Sequence, residues 1–435
     1  MVRLAWPVIL AELGWISMGI VDTVIVRDLG PAAIGAVGTG STIFMTFMVL
    51  GMGTLLALDT FVSQNFGAGR IDECHRWLFA GLQLAAILSV AVVLLAVVLL
   101  LLLPHFGLHP DVLVLLQPYL TGLLWSAPPL LAYTVFRRYL QAMNLVRPVM
   151  VALLTANLIN AGGNWVLVYG HLGFPALGVV GAAYATDLAR VYMAIVLWVV
   201  IVRRERASPS GLHDVPFVID GPRVWRLFRL GFPAALQVTM EVGVFATASA
   251  LAARISPLAV AANQIVLNIA SFFFMVPFGL ASAAAVRVGQ AIGRTDLAGM
   301  RRAGWVALGL ALVFEFTISA WLVVQPGLFV GLFTQDATLL SVGTAGLFIC
   351  AVFQPFDGCQ TVATGALRGL GDTRTPMFMN LVGHWAIGLP IACWLCFWRG
   401  WGIEGLWTGL AVGLILIGAA LVAVWARQSV RGVRL

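Results

Sequence analysis

The 435-residue sequence predicts an all-α integral membrane protein, with twelve transmembrane helices in two pseudo-symmetric lobes of six. Three observations carry that prediction: an apolar composition, twelve bilayer-length stretches, and a repeat that relates the two halves of the chain. Hydrophobic residues make up 61% of the sequence and charged residues only 10%, with a mean hydropathy of +0.99. Soluble globular domains lie far from these values. About 20 apolar residues cross a bilayer, and Trp77 to Leu103 alone supplies 27 without a charge.

In order, the expected spans are 5–26, 37–62, 77–103, 116–136, 149–169, 177–201, 231–253, 259–286, 303–325, 338–366, 377–397 and 402–426. The first contains Glu12 and Asp22 and lacks a small-residue cleavage site, so it reads as a retained helix and not as a signal peptide. Between spans six and seven lies the longest polar interval, Arg203 to Arg229, rich in Arg, Ser, Pro and Gly. It reads as a solvated cytoplasmic linker, which makes residues 1–202 an N-terminal lobe and 230–435 a C-terminal lobe.

A net charge of +7 raises the question of nucleic acid, and the placement of the charge answers it. All 25 basic residues are arginine; 21 of them fall at the termini or in the even-numbered connections, three in the odd-numbered ones, and Arg190 inside span six. By the positive-inside rule both termini face the cytoplasm. The basic charge therefore reports topology, its partner is the anionic inner leaflet, and no nucleic acid is expected. The five cysteines suggest no disulfide framework, and the Cys393/Cys396 pair sits in an apolar span without a second ligand pair.

Shifting the chain by 226 residues superposes landmarks of the two halves. Arg3, Leu4 and Pro7 fall on Arg229, Leu230 and Pro233; Pro31 on Pro257; Gly53 on Gly279; Val62, Gln64 and Gly67 on Val288, Gln290 and Gly293. Six spans per half is an even number, so both halves enter the membrane with the same orientation, related by an axis along its normal, with a binding cavity expected between them.

Chemistry is sought among the seven carboxylates in the spans: Glu12, Asp22, Asp59, Asp187, Glu241, Glu315 and Asp357. Facing lipid, together they would cost on the order of 20 kcal/mol, so they face protein or water. Because burial penalises the ionised form of an acid, each is a candidate proton carrier. Asp22 lies in the outer half of span one with apolar residues on both sides, which favours a functional role. Glu12 stays open between the two readings, Asp59 is expected to snorkel or cap near the cytoplasmic end, and Asp187 with Arg190 three residues later is expected to neutralise itself. In span five, Asn160 and Asn164 share one helical face; they either join helices or offer neutral oxygens to a small cation. Span seven carries Glu241 with Gln237 one turn earlier. Asp357, Gln360, Thr361 and Thr364 make a polar stripe in span ten, where Pro355 and Gly358 are expected to loosen the helix and free carbonyls for a cation. Glu315 has no partner legible in the sequence.

These residues resemble the multidrug and toxic compound extrusion (MATE) transporters, in their NorM-like branch. The likeness rests on Val21-Asp22-Thr23, Leu29-Gly30-Pro31, VSQxFGAG from Val62 to Gly69, NxxxNxxxVYG from Asn160 to Gly170, Asn263-Gln264, VRVGQAIG from Val286 to Gly293, and FQxxDxxQxVxxGxLRGxGDTRxP from Phe353 to Pro376. It covers nearly the whole chain. The resemblance implies two six-helix lobes and export of cationic amphipathic compounds against entry of Na+ or H+ by alternating access. It makes Asp22, Asn160, Asn164, Glu241 and Asp357 the cation-coupling residues, with Na+ a possible ligand of Glu241 and Asp357. Asn164 stands where another branch has Asp. Gln237, Gln264, Gln360 and Thr361 are assigned to the substrate cavity. No catalytic residue and no cofactor beyond the coupling ion is expected; the partners are small cationic molecules and the lipid bilayer, and the chain is expected to act as a monomer in a bacterial inner membrane. A flippase for lipid-linked precursors is the alternative, but it needs basic groups in the cavity, whereas these spans hold acids. An intramembrane enzyme needs a nucleophile with a base, or a metal cluster, and no His, Cys or carboxylate spacing supplies one.

Overall fold

The computed structural model describes residues 1–106 and 109–431, and these form helices joined by short connections, with no strand among them. We label the helices α1 (Val2–Val26), α2 (Pro31–Gly67), α3 (Ile71–Leu102), α4 (residues 110–142), α5 (Val146–Tyr169), α6 (Val179–Ala207), α7 (Gly221–Ala252), α8 (Pro257–Gly293), α9 (Leu297–Val324), α10 (Ala337–Leu370), α11 (Arg374–Trp398) and α12 (Gly402–Arg431). Eleven of the described helices are long and apolar enough to cross a membrane. The fourth expected span is the exception because it is built in two pieces, Pro110–Leu123 and Ala127–Ala142, joined by a 3-10 turn over Leu124–Ser126. Pro128 and Pro129 supply no backbone N–H, and their rings clash with the preceding turn, so a continuous helix cannot form there.

The all-helical membrane fold is thus as expected, with corrections at its edges. The fourth helix continues past residue 136 to Ala142, so Arg137 and Arg138, counted above as loop residues, are buried inside it. Arg434, counted with the C-terminal group, lies outside the described residues. The polar interval 203–229 is non-helical only between α6 and α7, at residues 208–220, and it is not freely solvated. Glu205 accepts backbone bonds from Ser210, Gly211 and Leu212 at 2.9–3.0 Å, His75 meets the Ser210 hydroxyl at 3.0 Å, and Leu212 is buried. A charged segment stays in water only if nothing satisfies its polar groups, and here α3 and α6 do so.

The chain divides into two compact units, Leu10–Ala235 and Met1–Ile9 with Leu236–Leu435. In the first, α5 lies along α6, and the two halves of α4 pack against α2, α3 and α6. Its outer surface is apolar: on α3, Ile87, Val90, Leu94, Val98 and Leu101 form an exposed stripe at helical spacing, a face that lipid covers.

In the second unit α10 is the central helix, packed on α8, α9 and α12. Its start is fixed by the Asp336 carboxylate, which accepts from the Leu339 N–H at 2.8 Å, and its end by Gly371 in the left-handed region. Along its length glycine permits close approach. A Cβ on Gly365 would lie 2.2 Å from the Ala281 carbonyl oxygen, and one on Gly369 would lie 2.6 Å from that of Ala285. Lacking a hydrophobic drive between helices in lipid, such backbone contact is what holds α8 to α10. On the far side, α11 contains two π-helical stretches, Leu381–Gly388 and Trp394–Trp398. Pro390 lies between them and denies a donor to the preceding turn.

Replacing Gly365 with Val should force α8 away from α10 at a cost of about 1–3 kcal/mol or more. Thermal unfolding in detergent, followed by fluorescence-detected size-exclusion chromatography, should show an early melt or loss of the monodisperse peak, whereas Gly162→Ala, which meets nothing within 4 Å, should behave as wild type.

Candidate cation-coupling sites in the two units

In the first unit, three helices converge on Asp22. From α1 its carboxylate accepts from the Asn164 amide of α5 at 2.7 Å and from the Thr186 hydroxyl of α6 at 3.0 Å. Asn160 donates to Thr186 at 3.3 Å, and Asn164 also donates to Asn160 at 3.3 Å. All four side chains are buried, Asp22 being 6% exposed. The four-residue spacing of the asparagines places both on the face toward α1, as their sequence positions require. Every direct donor to Asp22 is neutral. The Asn164 carbonyl oxygen is buried without a hydrogen-bond partner, so the site holds one carboxylate and one open neutral oxygen. Such a set matches a proton or a hard monovalent cation.

Thr186 was not singled out from the sequence, although it sits one turn before Arg190 and so on the same face. Asp187 and Arg190 form no ion pair within 4.0 Å; Arg190 donates to Ser126 at 2.5 Å and lies 4.8 Å from the centroid of the Phe44 ring. Ser126 belongs to the break in α4, which explains why a hydroxyl is free to reach it.

Two other acids are occupied by arginine. Glu12 accepts from Arg137, and Asp59 accepts from Arg138 at 3.3 Å, with all four side chains buried. Neighbouring arginines on α4 thus each take an acid from a different helix, α1 and α2. Glu12, left open from the sequence, is thus held in an internal ion pair, and the expectation that Asp59 snorkels gives way to another.

In the second unit Glu241 of α7 accepts from the Gln360 amide of α10 at 3.2 Å. Gln237 is buried one turn from Glu241, and Asp357, Thr361 and Thr364 are buried on α10. One oxygen of Asp357, the Gln360 carbonyl oxygen and the Thr364 hydroxyl are buried without hydrogen-bond partners. Gln264 of α8 is exposed and is not drawn into this group; its neighbour Asn263 faces inward, bonding Ser249 at 2.9 Å and Trp407 at 3.1 Å.

The helix is not loosened at Pro355 and Gly358 as expected: α10 runs through both. Gly358 instead makes room for Glu315 of α9, whose Cγ a Cβ there would approach to 2.6 Å. Glu315 is fully buried, with both carboxylate oxygens unpartnered. Contact with the residue that follows Asp357 gives this acid a place the sequence did not reveal. Among the described residues no group of three or more His, Cys, Asp or Glu side chains is arranged to hold a metal ion, so a cation here would draw on the amide oxygens as well.

The fold that holds these acids is shared by solved structures. A eukaryotic MATE transporter, AtDTX14, superposes with a TM-score of 0.87 over 99% of this chain and 96% of its own at 20% identity. A MATE in complex with MaL6 superposes with a TM-score of 0.90 over 99% and 96% at 20% identity. The MatE family model matches residues 7–166 and again 233–394, two stretches that begin 226 residues apart, the offset of the internal repeat. The chain belongs to the MatE family. It is 32% identical over 442 residues to the probable multidrug resistance protein NorM of Mesorhizobium japonicum, covering 98% of this chain and 93% of the relative. It is 36% identical over 424 residues to that of Rhodopseudomonas palustris, covering 96% and 89%.

Removing Glu12 leaves Arg137 charged, buried and alone. Glu12→Ala should lower stability by about 3–5 kcal/mol, and adding Arg137→Met should restore most of it. Melting curves of the two single variants and the double variant in detergent check this; equal loss in Glu12→Ala and the double variant would show that the pair has no such role.

Proposed function

We propose that this chain is a secondary active multidrug exporter that moves cationic amphipathic compounds out in exchange for Na+ or H+. One observation carries the reading: the buried Asp22 and the half-buried Glu241 accept from neutral donors, and one oxygen of the buried Asp357 has no hydrogen-bond partner, unlike Glu12 and Asp59, which have arginines. A buried carboxylate without a cationic partner is costly as an anion. It favours a state in which a proton, a metal cation or an organic cation supplies the missing charge. Competition among these for one acid couples their movements. The entering ion neutralises the acid and releases the organic cation, and the released acid accepts the next one. The NorM names of the relatives support the multidrug substrate class, and the arginine distribution supports cytoplasmic termini and residence in the inner membrane.

In this cycle each unit exposes its acid to the two sides of the membrane in turn. With exchange of one ion for one monovalent drug no net charge moves, and the ion gradient alone drives export. With one extra cation entering, each 100 mV of potential adds about 2.3 kcal/mol, enough for an accumulation of about 50-fold. A lipid-linked phosphate, the alternative cargo, calls for accessible basic groups. The three buried arginines of the first unit are engaged, Arg137 by Glu12, Arg138 by Asp59 and Arg190 by Ser126 and Phe44.

Proteoliposomes loaded with ethidium should export the dye when a Na+ or an inward pH gradient is imposed, and the gradient that works names the ion. Asp357→Asn should abolish the gradient-driven component while leaving the elution profile unchanged. Thr186→Val, which removes one of the two bonds to Asp22, should retain dye binding and lower the transport rate. Absence of any gradient response with several cationic dyes would overturn the reading.

A further inference from the structure

The connection between α6 and α7 carries an apolar surface in an unexpected place. Phe217, Val218 and Ile219 are 65%, 62% and 85% exposed, within an interval otherwise rich in charge. They are held at a defined depth. The Gln83 amide donates to the Val218 carbonyl at 2.7 Å, and its oxygen accepts from the Asp220 N–H at 3.1 Å, while Phe217 meets Phe79 edge-on at 5.4 Å. Gln83 is six residues inside the charge-free run of α3 that starts at Trp77, about 9 Å along the helix axis. The connection therefore dips to the level at which α3 is already apolar.

The following turns of α7 continue the surface. Trp225 stacks on Phe228 and Phe228 on Phe232, with centroids 5.6 and 5.2 Å apart, an aromatic row that runs from the connection onto the exposed flank of a membrane-spanning helix. Arg226 and Arg229 lie exposed beside this row. Arg223 is committed elsewhere, to Glu73 at 3.1 Å and Asp220 at 3.2 Å, and sits 5.7 Å from the Trp77 ring centroid.

We propose that residues 217–229 are an interfacial lipid anchor, in which Phe217, Val218, Ile219 and Trp225 enter the headgroup–acyl boundary and Arg226 and Arg229 hold anionic headgroups. Continuity with the lipid-facing surface of α7 identifies the occupant as lipid, and the flanking arginines identify its charge. Apolar side chains at that depth gain from leaving water, aromatic rings favour the interface, and a long basic side chain reaches outward from an apolar row to the phosphates. The connection between the two halves thus reads the composition of the leaflet.

The test uses the full-length protein in lipid nanodiscs. A Cys393→Ser background removes the half-buried native cysteine and leaves the other four, which are buried. A polarity-sensitive fluorophore is placed by Ile219→Cys and, as a control, by Asp214→Cys. At 219 the probe should be shielded from aqueous iodide and quenched by nitroxide-labelled lipid, more strongly in phosphatidylglycerol discs than in phosphatidylcholine discs. At 214 it should stay open to iodide. Arg226→Gln and Arg229→Gln should each lower the ratio of shielded to open probe about fivefold in anionic discs. Equal iodide access at 219 and 214 in anionic discs would overturn the anchor. Shielding at 219 that ignores both phosphatidylglycerol and the arginine variants would overturn the headgroup assignment and the proposal with it. Neither outcome depends on whether the protein exports drugs.

Discussion

A charge removed from water is costly unless it is compensated nearby, and the compensation separates four of the acids in the spans into two groups. Glu12 and Asp59 are compensated by arginine. Asp22 is compensated by two neutral donors, and Glu241 by an amide. The difference is chemical: a guanidinium satisfies a carboxylate permanently, whereas an amide or hydroxyl leaves a negative charge in need of something mobile. Membrane helices tolerate such groups only toward the protein interior. The surroundings of Asp22 and Glu241 thus hold each acid through neutral groups.

Glycine and broken helices supply the geometry. Gly358 admits Glu315 next to Asp357, Gly365 and Gly369 bring α8 against α10, and the turn at Leu124–Ser126 presents the hydroxyl that receives Arg190. None of these contacts relies on a hydrophobic drive between helices, which lipid does not provide. They rely on close backbone approach and on hydrogen bonds between helices, the two means available in an apolar solvent.

The fold was largely legible in the sequence because it depends on composition along the chain. Apolar length marks the spans and the 226-residue offset marks the repeat. The asparagine pair at 160 and 164 was equally legible, since helical spacing alone puts both on one face. What stayed hidden depends on rotation and on contacts between distant helices. Thr186 reaches Asp22 only because α6 turns that face toward α1; Arg137 and Arg138 counted as loop residues because the apolar run ends at the first of them while the helix continues to Ala142. Glu315 had no visible partner because the feature that places it is an absent side chain, that of Gly358. The linker was misjudged for a related reason: polarity says that a segment can live in water, not that its hydrogen bonds are made there.

The seam between α11 and α12 carries a consequence for how this chain tolerates change. A Cβ on Gly409 would sit 2.2 Å from the Ala392 nitrogen, one on Gly383 2.2 Å from Ile417, and one on Gly413 2.7 Å from the Gly383 carbonyl oxygen. Every amino-acid change that a single base substitution makes at a glycine codon adds at least a Cβ. These positions therefore have no mild neighbours in the genetic code, and a population drifting under mutation meets a cliff here where the lipid-facing stripe of α3 offers a plain.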